Sequence, residues 1–113
     1  MYGIEVRESG AGVLVELWGE FDLFSLKSLR ETLNGVLDLR GPVFVDLSGI
    51  SFLDLDSARE LAVRAQLYAH HLFLGNPSPW VAASLEAFGL WGWFRFHPGS
   101  DHEEPPVVSG ASQ

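Results

Sequence analysis

Between Val13 and Leu37 the spacing of apolar residues changes, which limits the chain to folds in which a strand feeds directly into a helix. Val13, Val15 and Leu17 alternate with Leu14, Glu16 and Trp18, a period of two that sends the two sets to opposite faces of a strand. Gly19 breaks the alternation. From Ser25 to Leu37 (SLKSLRETLNGVL), Leu26, Leu29, Leu33 and Val36 fall on one stripe, with Lys27, Arg30 and Glu31 off it. That spacing, near 3.6, predicts an amphipathic helix, interrupted close to its end by Gly35.

The same reading extends both ways. Tyr2 to Glu8 alternates with Ile4 and Val6 on one face, and Gly10 to Gly12 gives a turn, so the chain opens with an antiparallel hairpin. After Gly41-Pro42, the run VFVDL (Val43 to Leu47) is continuous enough to predict a strand buried on both faces. A second helix is expected from about Ser57 to His70, with Ala58, Leu61, Ala62, Ala65 and Tyr68 or Ala69 turned inward. A short strand (HLFLGN), a Pro-bounded turn from Asn76 to Pro79, a helix over Trp80 to Phe88 and a last strand (WGWFRF, Trp91 to Phe96) follow. Strands alternating with helices after a hairpin predict an α/β fold, a mixed sheet with helices packed mainly on one side. It occupies residues 1–97. The polar, Pro- and Gly-rich stretch 98–113 reads as a disordered tail.

The length of 113 residues suits one domain, and a hydrophobic share of 47% supplies a core. No cysteine is present, which removes disulfides, thiolate metal sites and cysteine nucleophiles, and fits a reducing cytoplasm. The opening MYGIEVRES lacks the basic and apolar regions of a signal peptide, and no apolar run reaches the roughly 18 residues of a membrane span, so a cytoplasmic, non-inserted protein is expected. A formal charge of −8 with only seven scattered Lys and Arg excludes sequence-independent nucleic-acid binding and favours a protein partner.

Candidate chemistry is sparse. His70 and His71 are adjacent, so on a helix they point about 100° apart and cannot share an ion. His97 and His102 fall in or beside the expected tail. Asp22, Asp46 and Asp54 fall at expected strand ends, where acids form turns and N-caps more often than Mg²⁺ sites. No serine sits in Gly-x-Ser-x-Gly, and no Gly-rich loop leads to a Lys, so neither catalysis, metal nor any cofactor is expected. The aromatic C-terminal strand carries Trp91 and Trp93 on one face and Phe94 and Phe96 on the other. It is expected either to pack into the core or to serve as a homodimer or partner interface.

Three motifs in order resemble a STAS domain, the fold of bacterial anti-sigma factor antagonists and of the cytoplasmic tail of sulfate transporters. GEFDLFSLKSLRETL (Gly19 to Leu33) is similar to the family's strand-to-helix step. VFVDLSGISFLD (Val43 to Asp54) is similar to the strand and turn before its switch helix. LFLGNPSPWVAASLEAFGL (Leu72 to Leu90) is similar to its closing strand, turn and third helix. The resemblance implies a non-enzymatic regulatory interaction domain acting in transcription control, which binds an anti-sigma factor that is also a serine kinase. It implies a contact patch of Asp22, Ser25, Asp54, Leu55, Asp56 and Ser57. Family members also serve as scaffolds in stress-sensing assemblies and membrane transporter complexes, and some bind nucleotide.

In phosphorylatable members the turn reads Asp-Ser-Ser-Gly or Asp-Thr-Ser-Gly, and the first hydroxyl accepts phosphate. Here Asp54 matches the Asp, Leu55 replaces the acceptor, Asp56 takes the second hydroxyl position and Ser57 stands where Gly would be. Ser57 therefore has two readings. Ser57-Ala58-Arg59-Glu60 matches a capping box, so capping is the expectation and phospho-acceptance the alternative. Asp54 and Asp56 are also competent N-caps. Asp56, fixed beside the switch position, carries about half the charge of a phosphoserine and is a candidate permanent mimic.

Overall fold

The computed structural model describes residues 1–94. The domain boundary at residue 97, the tail beyond it, Phe96, His97 and His102 lie outside the described residues. Tyr2–Ser9 (β1) and Gly12–Phe21 (β2) form the antiparallel hairpin, with Ile4 opposite Leu17 and Val6 opposite Val15. Gly19 does not end β2. It takes φ +87 inside a shift of register, and a Cβ there would meet the Met1 carbonyl, so the position belongs to glycine on both counts.

Leu26–Leu37 is helix α1, buried through the expected stripe Leu26, Leu29, Leu33 and Val36. Gly35 does not interrupt it. The glycine lies on the exposed side with nothing near it, and its cost of about 1 kcal/mol is outweighed by the burial of Leu33 and Val36 on either side.

Strand β3, Val43–Leu53, runs well past the expected Leu47. Ser48-Gly49 is absorbed as an irregularity in the parallel pairing with β2, which resumes and ends with Phe21 opposite Leu53. Helix α2 covers Leu55–Leu67, strand β4 Leu72–Gly75 and helix α3 Pro79–Ala87. The sheet order is β1-β2-β3-β4, antiparallel for the first pair and parallel for the next two. Both crossovers step in the same direction, and right-handed crossovers that do so leave their helices on one face of the sheet.

The core lies between that face and the helices. Val13, Val15, Leu17, Val43, Val45, Leu47, Leu72 and Leu74 meet Leu29, Leu33, Val36, Ala58, Leu61, Ala62, Val81 and Leu85 in one cluster. β3 was expected to be buried on both faces and is fully buried on only one, because Phe44 and Asp46, pointing the other way, are half-buried. On that second face Phe44 stacks on Phe73 of β4 with ring centroids 5.5 Å apart. Trp18 lies over Gly3 of β1, where a Cβ would overlap the indole, and touches Gly49 of β3, where a Cβ would lie 2.8 Å from the Trp18 Cβ.

The expected last strand is a correction. Trp91–Trp93 is a single 3₁₀ turn, with Trp93 N–H bonded to the Leu90 carbonyl. Alternation over four residues does not separate a strand from such a turn, and only Phe94 reaches the core, while Trp91 and Trp93 stay exposed. A homodimer through an aromatic C-terminal strand therefore loses the element on which it rested, as far as the described residues extend.

Candidate functional site

The C-terminal ends of β2 and β3 are tied together. Phe21 and Leu53 are the last paired residues, both buried, and the Asp54 N–H donates to the Phe21 carbonyl at 2.9 Å. The β2–α1 loop and the start of α2 are thereby placed side by side, and this juncture collects all six residues expected in a contact patch.

The start of α2 differs from the capping box. Asp54 is the N-cap: its backbone is extended (φ −85, ψ 173) and its Oδ1 accepts from the Ser57 N–H at 2.8 Å. β3 runs to Leu53, so Asp54 is the first residue free of the strand. Its carboxylate also sits at the positive end of the helix dipole. Ser57 is consequently the third residue inside the helix, fully buried, with its Oγ lacking a hydrogen-bond partner among the described residues. Glu60 does not reach back to the cap. Its two oxygens accept from Arg30 Nε of α1 at 2.9 Å and Arg64 Nε of α2 at 2.8 Å, clasping the two helices.

The β2–α1 loop is built on Asp22 and Ser25. The Asp22 N–H donates to Ser25 Oγ at 2.9 Å, Ser25 Oγ donates to the Asp22 carbonyl at 3.1 Å, and the Phe24 N–H donates to Asp22 Oδ1 at 2.9 Å. Ser25 is fully buried by this arrangement. Asp46 behaves like Asp22 and Asp54, its Oδ1 accepting from the Ser48 N–H at 2.9 Å. All three acids thus hold their own backbones, Asp22 and Asp54 just beyond strands and Asp46 inside β3 ahead of its irregularity.

Two of the six expected residues, Ser25 and Ser57, are buried. Asp22 and Asp54 are half-buried, with one carboxylate oxygen each engaged. Leu55, the first residue of α2, is half-buried, and Asp56 is exposed. The residues that dominate the outer surface here were not singled out: Leu23 is 70% exposed, Phe24 86% and Phe52 51%. Trp80, 65% exposed, stands at the start of α3, whose N-cap Ser78 donates its Oγ to the Ile50 carbonyl of β3 at 2.8 Å. The available signal was Leu23-Phe24 itself, two large apolar residues ahead of the stripe that begins at Leu26, between an Asp and a Ser that favour a turn.

The backbone of His71 joins the sheet, its carbonyl accepting from the Val43 N–H at 2.8 Å, and His70 is exposed in the preceding turn. Among the described residues no group of three His, Asp or Glu is placed to hold a metal ion, and no helix is long and apolar enough to cross a membrane.

A family model described as "Mlab, STAS domain" matches residues 4–95. Among proteins of curated function, none matches in sequence. Among solved structures, an anti-sigma factor antagonist from Mycobacterium paratuberculosis is 20% identical, with a TM-score of 0.73 over 89% of both chains. The anti-sigma factor antagonist SpoIIAA in its unphosphorylated form is 19% identical, with a TM-score of 0.60 over 83% of this chain and 87% of that one. At such identities the two structures establish a shared fold.

Proposed function

The chain belongs to the STAS domain family, and we propose that it is a non-enzymatic regulatory domain that binds an anti-sigma factor of the serine-kinase type. The interface is the juncture of the β2–α1 loop with the N-terminal turn of α2. Asp22, Asp54, Leu55 and Asp56 face the partner, and Ser25 and Ser57 support them from beneath. The observation that carries this reading is the placement of Leu55 and Asp56 as the first two residues of α2, immediately beyond an Asp54 cap tied to β2.

Leu55 has no hydroxyl, so the partner's kinase activity has no acceptor at the family position. A phosphate at a helix N-terminus is tolerated by the fold, yet its charge of about −1.5 to −2 blocks an apolar or acidic surface on the partner. With Leu55 there, binding is constitutive. Asp56 keeps a fixed partial charge beside the contact.

The test is to incubate the protein with ATP and the serine kinase encoded nearest its gene, and to follow both complex formation and intact mass. The expected result is a stable complex without added phosphate, and failure to form a complex overturns the reading. A single phosphate that disappears in Ser57→Ala replaces constitutive binding with a switch at Ser57. That outcome requires the first turn of α2 to open, because Ser57 is fully buried. If Asp56→Ser leaves affinity unchanged, Asp56 is no mimic.

The missing acceptor also favours a second reading, a scaffold subunit of a stress-sensing assembly or of a membrane transporter complex. Neighbouring genes separate the two: a kinase and sigma factor support the first, an ATPase and permease the second.

A further inference from the structure

Building on the binding reading above, we propose that Leu23 and Phe24 are the apolar anchor of the interface, inserted into a cleft on a protein partner whose rim is basic. Single exposed apolar residues are common on any surface. These two are adjacent, 70% and 86% exposed, and held out by a turn with little freedom. The N–H groups of Asp22, Phe24 and Ser25 are all bonded within the turn, to Ser25 Oγ, Asp22 Oδ1 and the Asp22 carbonyl. Such a turn offers a partner side-chain surface in place of open backbone donors. Its order is already present before binding, which lowers the entropy lost on association.

Charge selects the occupant. Asp22, Asp54 and Asp56 lie at this end of the sheet beside Glu20, whose Oε1 is paired with the Met1 ammonium at 3.2 Å, against Lys27 at the start of α1 and Arg59 on α2. This excess of carboxylates repels an anionic lipid surface. A second copy docked through the same end sets those carboxylates against one another. A protein cleft lined by apolar groups and edged with Lys or Arg complements both the anchor and the acids around it.

The experiment measures affinity for the kinase of the preceding test at low and moderate salt. Phe24→Ser and Leu23→Ser are each expected to weaken the complex by about 30-fold or more, chiefly through faster dissociation. Neither is expected to change the melting temperature. Leu67→Ser, which removes an equally exposed leucine (71%) at the far end of α2, is expected to bind within about twofold of wild type. Added salt weakens the wild-type complex, and a salt-independent complex overturns the basic rim. Should wild type bind and Phe24→Ser bind equally well, the anchor is refuted while the partner reading stands. If wild type does not bind, both fall. Phosphatidylcholine vesicles containing phosphatidylglycerol are expected not to co-sediment the protein, and Phe24-dependent co-sedimentation overturns the proposal in favour of a bilayer.

Discussion

Replacing Asp54 or Ser57 by alanine separates two accounts of how α2 begins. Asp54→Ala removes the carboxylate that accepts from the Ser57 N–H at 2.8 Å. Loss of such a cap costs about 1 kcal/mol, and loss of a negative charge at the helix N-terminus adds about 0.5 kcal/mol. The sum, about 1.5 kcal/mol, lowers the melting temperature of a domain this size by about 6 °C. Ser57→Ala acts in the opposite direction. It deletes a fully buried hydroxyl that has no partner among the described residues, which relieves an unmet desolvation cost and stabilises by about 0.5 kcal/mol. Asp54→Asn keeps an acceptor and loses the charge, so it falls between wild type and Asp54→Ala. Urea denaturation, checked for an unchanged slope, measures all three. If Ser57→Ala proved more destabilising than Asp54→Ala, the capping assignment would be wrong and the serine hydroxyl would be the cap.

Ser78→Ala removes both the N-cap acceptor for Val81 N–H and a side-chain donor to the Ile50 carbonyl, within a buried site; it is expected to cost about 2 kcal/mol by denaturant titration. Gly3→Ala places a methyl against the Trp18 indole and is expected to cost about 1–3 kcal/mol, with a change in tryptophan fluorescence as the ring is displaced; an unaltered spectrum and stability would refute that packing. Of the two arginines held by Glu60, Arg64→Ala should destabilise more than Arg30→Ala. The Arg64 side chain is 14% exposed and that of Arg30 54%, so solvent screens the second pair far more, and equal effects would contradict this ordering.

Element types were legible because the apolar period is clean where one face of a strand or helix is buried. Val13, Val15 and Leu17, then Leu26, Leu29, Leu33 and Val36, are buried as their spacing requires. Element ends were less legible. Ser48-Gly49 has the composition of a turn, yet β3 continues through it, because pairing with β2 outlasts the local irregularity. That continuation decides the cap: three plausible acceptors, Asp54, Asp56 and Ser57, lie close together, and only the end of the strand determines which one has extended backbone. The aromatic alternation at Trp91 to Phe94 misled for a different reason. Gly89 takes φ +72 after α3, and the Leu90 N–H bonds the Leu85 carbonyl, so the chain leaves α3 already turned into a 3₁₀ step. The six contact candidates lie at one juncture, but burial divides them, and spacing alone carries no information about which side of a loop faces water.

The order of the strands in space is also their order in the chain, β1-β2-β3-β4. During synthesis each new strand finds its neighbour already made, and no strand must wait for a later one to be threaded between two others. Each β–α–β addition closes only a short loop, which favours quick pairing. The exposed flank of the growing sheet simply moves outward. Between Leu53 and Leu72, at roughly 5–20 residues per second, the edge of β3 stays open for about one to four seconds before β4 can cover it. Over that interval α2 is the segment being made, and its folding onto the sheet is what shields the apolar face of the nascent chain.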